Sequence, residues 1–352
     1  MSYLPEYLIG ISDELLISKT GRLWLLSAVV SLFVMSGLLT LVDLSVWKTR
    51  VAAVRPEWLA AVAALIFLML WTRAQRLRLL LPMQEPDPQR RLPTYLRATA
   101  WHHAAVVLFP SGLGDAILPF VVKQMLSRSL VNAIAALCVI RFQDLLVLLG
   151  LCSWGLSGRF AAGSVTLPTI VAMIGLLTVG LVRIDIALRG ALRIGQQILR
   201  RLNKYWAASF QRNLHFFTQS AGWAEFWRDR YRQLALAGWS IATWLSACAA
   251  LWLAFAAYDI RLGVADTFLL LAGMNIVWIF AFFSIAGFGI AEGGLTGLLV
   301  LVGWPLSEAS ALALVVRPTL TVLNVLVPLI IEGVTLVLGG SLHRARLRSK
   351  RC

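Results

Sequence analysis

Five charged residues stand inside segments otherwise suited to lipid: Asp115, Arg141, Asp144, Glu292 and Arg317. An ionisable side chain at bilayer depth is costly, so it faces the protein interior or a water-filled cavity and commonly serves function. Guanidinium matches phosphate oxygens in a two-pronged way, which makes Arg141 and Arg317 candidates for holding a phosphate. Asp115 and Glu292 each follow helix breakers, Pro110, Gly112 and Gly114 in the first case and Gly287 and Gly289 in the second. A carboxylate there can cap a helix N-terminus or line a binding site, and both readings stand. Backbone N–H groups after Gly114 and Gly289 would offer further donors to an anion. Asp144 shares a helix face with Arg141, three residues before it, and either neutralises that arginine or joins it in the site.

The two breaks repeat one another. Gly112-x-Gly114 is followed by Asp115 and then Arg141; Gly287-x-Gly289 is followed by Glu292 and then Arg317 at a closely similar distance. Irregular backbone survives in a membrane only where protein or a water-filled cavity satisfies it. The expectation is therefore two re-entrant, broken-helix hairpins meeting near mid-membrane. The first break is approached from the cytoplasmic side and the second from outside, as in the inverted repeats of secondary transporters.

These residues need helices to carry them. Hydrophobic residues make up 59% of the chain and charged residues only 14%, with a mean hydropathy of +0.78, which excludes a soluble domain. The predicted architecture is all-α: one polytopic membrane domain, 1–352, of about six to eight segments, since each crossing needs roughly 20 apolar residues. An amphipathic cytoplasmic N-terminus (1–22) precedes a first half (23–182), a basic cytoplasmic segment (183–232), a second half (233–340) and a basic tail (341–352). The crossings are expected at Leu23–Val42, from Trp58 to Trp71 and out through Arg73, Arg76 and Arg78, then at Val131–Trp154, Val165–Val182, Leu234–Ala257 and Ser307–Leu338. Residues 43–57 read as an external loop. The re-entrant pairs fall at Tyr95–Arg128 and at Ala265–Phe283 with Gly294–Val302.

The net charge of +15 follows topology and not a nucleic-acid surface. Lys and Arg gather in the segments assigned to the cytoplasm, leaving only Lys48, Arg50, Arg55, Arg159 and Arg261 outside them besides the two buried arginines, and no nucleic-acid-binding motif accompanies the basic patches. The basic segment interleaves its charges with Trp206, Phe210, Trp223 and Trp227, a mixture suited to anionic lipid at the cytoplasmic face or to a plain loop. Met1–Thr20 places Glu6, Asp13 and Glu14 ahead of its basic residues, the reverse of a signal peptide. Cys138, Cys152, Cys248 and Cys352 lack any paired spacing and read as packers. No metal or cofactor is expected: His102 and His103, being adjacent, point to different helix faces and read as packing or hydrogen-bonding groups. Asn275 and Asn324 read as interhelical hydrogen-bond groups, and Glu332 as a partner for the basic tail.

The stretches PSGLGDAILPF and RFQD, and later GFGIAEGGL with an arginine-bearing helix behind it, resemble the transmembrane region of lysylphosphatidylglycerol synthases and related stand-alone flippase-like membrane proteins. The resemblance spans roughly Trp24 to Leu338, with Asp115 where the family more often has glutamate. Larger members continue into a soluble aminoacyl-transferase domain. This chain stops at Cys352, so what the resemblance implies is movement of a lipid between leaflets and not synthesis of an aminoacylated one.

The function expected is thus a lipid flippase or transporter of the bacterial cytoplasmic membrane, both termini cytoplasmic, carrying an amphiphilic phospholipid or polyprenyl-linked lipid through a charged cavity. Its site would comprise Arg141, Asp144, Arg317, Asp115, Glu292, Gly112, Gly114, Gly287 and Gly289. The alternatives are a non-catalytic partner of a lipid- or glycan-modifying enzyme, or a membrane-embedded transferase. The latter is disfavoured because no catalytic constellation is evident, and no phosphate-binding loop for ATP is present.

Overall fold

The computed structural model describes residues 29, 31–42, 44–81, 91–109, 113–160, 226, 228–280 and 287–349, of which 91, 159, 160, 279, 280 and 338–349 by their backbone alone. The helices are α1 (Ser31–Leu41), α2 (Leu44–Ala52), α3 (Pro56–Leu80), α4 (Arg91–Leu108) and α5 (Leu113–Leu126). They continue as α6 (Leu130–Phe160), α7 (Arg230–Ala256), α8 (Val264–Phe280), α9 (Ile290–Leu301) and α10 (Leu306–Ser349). No strand occurs among the described residues. α3, α6, α7 and the 306–337 part of α10 are each long and apolar enough to cross a membrane, and α1 with α2 makes a fifth if that bent pair is one span. The polytopic helical membrane architecture expected from composition is therefore present. The expected crossing Val165–Val182, the segment 1–22, most of 183–232 and the start of the first span lie outside the described residues.

Local chemistry sets the helix ends. Pro56 opens α3, where its missing N–H costs nothing and its fixed φ suits the first turn, and Glu57 follows it against the helix dipole. Asp229 caps α7 by accepting the Arg232 N–H at 3.1 Å, and Ser129 Oγ accepts the Asn132 N–H at 3.2 Å at the start of α6. Gly303, at φ +96°, makes the turn between α9 and α10.

Three boundaries differ from the sequence expectation. The external loop at 43–57 contains helix α2, held because Trp47 packs against the core and Arg50 Nη1 reaches the Tyr258 carbonyl. α3 does not leave the protein at Arg73 but continues to Leu80, with Ala74, Arg76, Leu77 and Leu80 buried. The last helix runs past Leu338 to Ser349.

Two layers of core join the halves. One gathers Leu70, Phe255, Leu270, Leu295 and Leu312 from α3, α7, α8, α9 and α10. The other gathers Leu77, Tyr95, Val122, Ala136 and Leu236 from α3 to α7. α3 and α7 run through both, and they meet edge-to-face through Trp71 and Trp239 and through a Thr72–Thr243 hydroxyl contact of 2.9 Å. Phe33, Leu32, Val322 and Val337 are among the large apolar side chains left on the outside, the surface a lipid environment requires.

The helices on either side of each break pack against one another. α5 packs on α4 so closely that a Cβ at Gly114 would stand 2.5 Å from Val106 Cα. α9 packs on α8 in the same manner, a Cβ at Gly294 falling 2.4 Å from Val277 Cγ1. Gly287 and Gly289 take φ +73° and +82°, conformations that L side chains rarely adopt. Gly112 lies outside the described residues.

Candidate functional site

The hairpins and the long helices line a half-open cavity of about 480 Å³. Its walls are mostly apolar, with Leu145, Leu251 and Leu295 among them, and its charges are Arg73, Asp115, Arg141, Asp144 and Arg317. Both halves contribute, as α3, α5 and α6 supply the first four and α10 supplies Arg317. Gly114 lies in the same wall, whereas Glu292, Gly287 and Gly289 do not line the cavity.

The charges are organised from the helices up. In α6, Arg141 and Asp144 share a face, but Arg141 is not the principal partner of Asp144. The two approach at 3.5 Å, while Arg76 Nη1 from α3 lies 2.8 Å from Asp144 Oδ1 and Trp244 Nε1 from α7 donates to that oxygen at 2.9 Å. Arg141 reaches across the hairpin instead and pairs with Asp115. His102 Nε2 donates to the same Asp115 carboxylate at 3.1 Å.

A second chain of contacts crosses between the halves. Arg73 Nη1 lies 2.9 Å from His103 Nδ1, and His103 Nε2 lies 2.8 Å from Asn324 Oδ1. A guanidinium can only donate, so Nδ1 accepts and Nε2 carries the proton, which makes His103 a neutral imidazole here. The Asn324 amide is fixed in turn by donating to the Leu320 carbonyl at 2.7 Å. The two histidines thus serve different elements, as their opposed helix faces implied. Asn324 does join two helices; Asn275 donates to Leu271 of its own helix and lines the cavity.

The second half repeats the order of the first with a different outcome. Glu292 bends back and accepts the Gly289 N–H at 2.6 Å, so it caps α9 and occupies a donor that a ligand would otherwise find. Arg317 is 8% exposed. It donates to Thr321 Oγ1 at 3.1 Å, its guanidinium sits 5.0 Å from the Trp278 ring centroid, and its Nε has no hydrogen-bond partner among the described residues. No carboxylate among them lies within ion-pair distance of it. Glu292 acts on it through charge alone.

Sequence reasoning missed Arg73 and Arg76, which it read as a cytoplasmic flank of α3, and the two tryptophans that hold Asp144 and Arg317. One signal was available. Arg73 and Arg76 are three apart and share a helix face, which an arginine pair serving only as a flank does not need. Glu332 was expected to meet the basic tail; it is held bidentately by Arg97 of α4, at 2.8 and 2.5 Å.

Comparison with known proteins agrees with the resemblance read from the motifs. No curated protein and no solved structure matches the chain significantly. The family described as "Lysylphosphatidylglycerol synthase TM region" matches residues 24–327, which include both hairpins and all five charges. The chain belongs to that transmembrane-region family.

Proposed function

We propose that the chain moves an anionic amphiphilic lipid, a phospholipid or a polyprenyl-linked lipid, between the leaflets of the bacterial cytoplasmic membrane. The family's link to membrane lipid supports the broad class of function. The observation that carries the finer reading is Arg317: a buried guanidinium that has, among the described residues, no partner for its Nε and no carboxylate at ion-pair distance, set in the wall of a cavity of about 480 Å³. Such a charge is costly unless a ligand completes it. The head group would travel through this cavity while the acyl chains stay in lipid, and the two halves would rock around it in the manner of inverted-repeat transporters, with both termini cytoplasmic. No bond is made or broken in this scheme.

The test is leaflet exchange of fluorescent phospholipids and a polyprenyl phosphate in proteoliposomes, with wild type beside Arg317→Ala and an Asp115/Glu292 double alanine variant of verified fold. Exchange by wild type that both variants lose supports the reading. Wild type that exchanges none of these lipids overturns it and leaves a non-transporting partner of a lipid- or glycan-modifying enzyme.

A further inference from the structure

We infer that the lipid accepted by this cavity carries a single phosphodiester charge, and that Arg73 shares its binding with Arg317. The inference rests on the lipid-moving reading for its biological setting, but its own support is the balance of charge and the pairing of each arginine.

Among the described residues, three guanidiniums, Arg73, Arg141 and Arg317, face the cavity against two carboxylates, Asp115 and Asp144. Arg76 and Glu292, buried but not lining the cavity, add one charge of each sign. With the imidazoles neutral, either tally leaves one positive charge in excess. The excess has an address. Arg76 and Arg141 each lie within ion-pair distance of an aspartate, whereas Arg73 and Arg317 have no such partner among the described residues. Arg73 donates to the uncharged His103, and Arg317 to the uncharged Thr321. The two come from opposite halves and line the same cavity.

A buried surplus of one positive charge selects its counter-ion. A phosphodiester brings one negative charge and restores neutrality. A phosphomonoester brings about −1.5 to −2 and overshoots. A zwitterionic head group brings its own cation to a wall whose aspartates are already paired, and a cationic aminoacyl head group adds to the surplus. The cavity, about 480 Å³ and open on one side, has room for a phosphoglycerol.

The experiment measures binding and transport separately. Detergent-solubilised full-length protein is titrated with short-chain phosphatidylglycerol, phosphatidylcholine, phosphatidic acid and an aminoacylated phosphatidylglycerol, and with the soluble head group glycerophosphoglycerol. Binding is read by thermal stabilisation and by tryptophan fluorescence, since Trp278 stacks on Arg317. Phosphatidylglycerol should bind best, and Arg73→Gln and Arg317→Gln should each weaken it at least about tenfold, the loss expected for a hydrogen bond to a charged group. Lys at either position should recover part of the affinity, and Arg55→Gln, at an exposed pair far from the cavity, should leave it unchanged. Variants are compared at equal melting temperature without lipid, so a folding defect is not read as lost affinity.

Equal or better binding of the zwitterionic, monoester or aminoacyl lipid overturns the inference, as does Arg73→Gln with undiminished affinity. Soluble head group binding as tightly as lipid overturns the lipid source. Selective binding without leaflet exchange in proteoliposomes upholds the inference while removing the transport reading. Exchange that ignores head-group charge does the reverse.

Discussion

Removing Asp144 should destabilise the protein more than removing the arginine that pairs with it. Arg76 is 1% exposed, its only ion-pair partner among the described residues is Asp144 at 2.8 Å, and its Nη2 donates to the Ile140 carbonyl at 3.0 Å. Asp144→Ala therefore leaves a fully buried guanidinium without a counter-charge, a change that typically costs about 3–5 kcal/mol. Arg76→Met is gentler, because Asp144 keeps Trp244 at 2.9 Å and Arg141 at 3.5 Å. Its expected cost is about 1–3 kcal/mol, the range for one unsatisfied buried group. The double variant Arg76→Met/Asp144→Ala should be more stable than Asp144→Ala alone, since it removes the stranded charge. Asp144→Asn, which keeps an acceptor for Trp244, should fall between the extremes. Unfolding in mixed micelles of increasing SDS content, followed by tryptophan fluorescence, gives the four stabilities and hence the coupling energy of the cycle. Equal costs for the two single variants, with a double variant equal to their sum, would refute the pairing and with it the placement of Arg76 inside the bundle.

Two other substitutions probe the second break and the hairpin's anchorage. Gly289→Ala should cost about 1–2 kcal/mol for its left-handed backbone, plus the displacement of the Ser31 carbonyl that a Cβ would meet at 2.8 Å. Gly297→Ala, in the same helix with nothing within 4 Å, should be neutral or stabilising by up to about 1 kcal/mol; the same SDS titration ranks them. The Arg97–Glu332 pair joins α4 to α10 with two contacts but is part-exposed, so a double-mutant cycle there should return no more than about 1 kcal/mol, well below the Arg76–Asp144 coupling.

Much of the architecture was legible because lipid makes sequence strict. Apolar runs of spanning length, breakers inside them, and acids placed just behind the breakers each have few structural solutions, and α3, α6, α7, α10 and both hairpins lie where those signals put them. Charges at the ends of spans are less decisive. Arg73, Arg76 and Arg78 are equivalent under a rule that assigns cations to the cytoplasmic side. Only the partner separates them, and the partner is Asp144, on a helix that follows two others in the chain. Local spacing also shows only part of what surrounds Asp144. Arg141, three residues away, does approach it at 3.5 Å, but Arg141 also pairs with Asp115 across the hairpin, and the closer contacts of Asp144 come from α3 and α7. In the second half, Arg317 has no acid three or four residues away; it meets an aromatic face from α8, and no carboxylate at ion-pair distance among the described residues.

The two half-sites look alike in sequence but are unequal in chemistry, and the difference begins with the acids. Asp115 stands one residue after its glycine and turns its short side chain toward His102 and Arg141. Glu292 stands three residues after Gly289, the register at which a longer carboxylate folds back onto the first free amide of its own helix. The first acid therefore neutralises its arginine, while the second is engaged by backbone and leaves Arg317 to an aromatic ring and a hydroxyl. A site with matched acid–arginine pairs in both halves would leave Arg73 alone without a carboxylate at ion-pair distance. The diversion of Glu292 into capping leaves Arg317 as well for a ligand to complete.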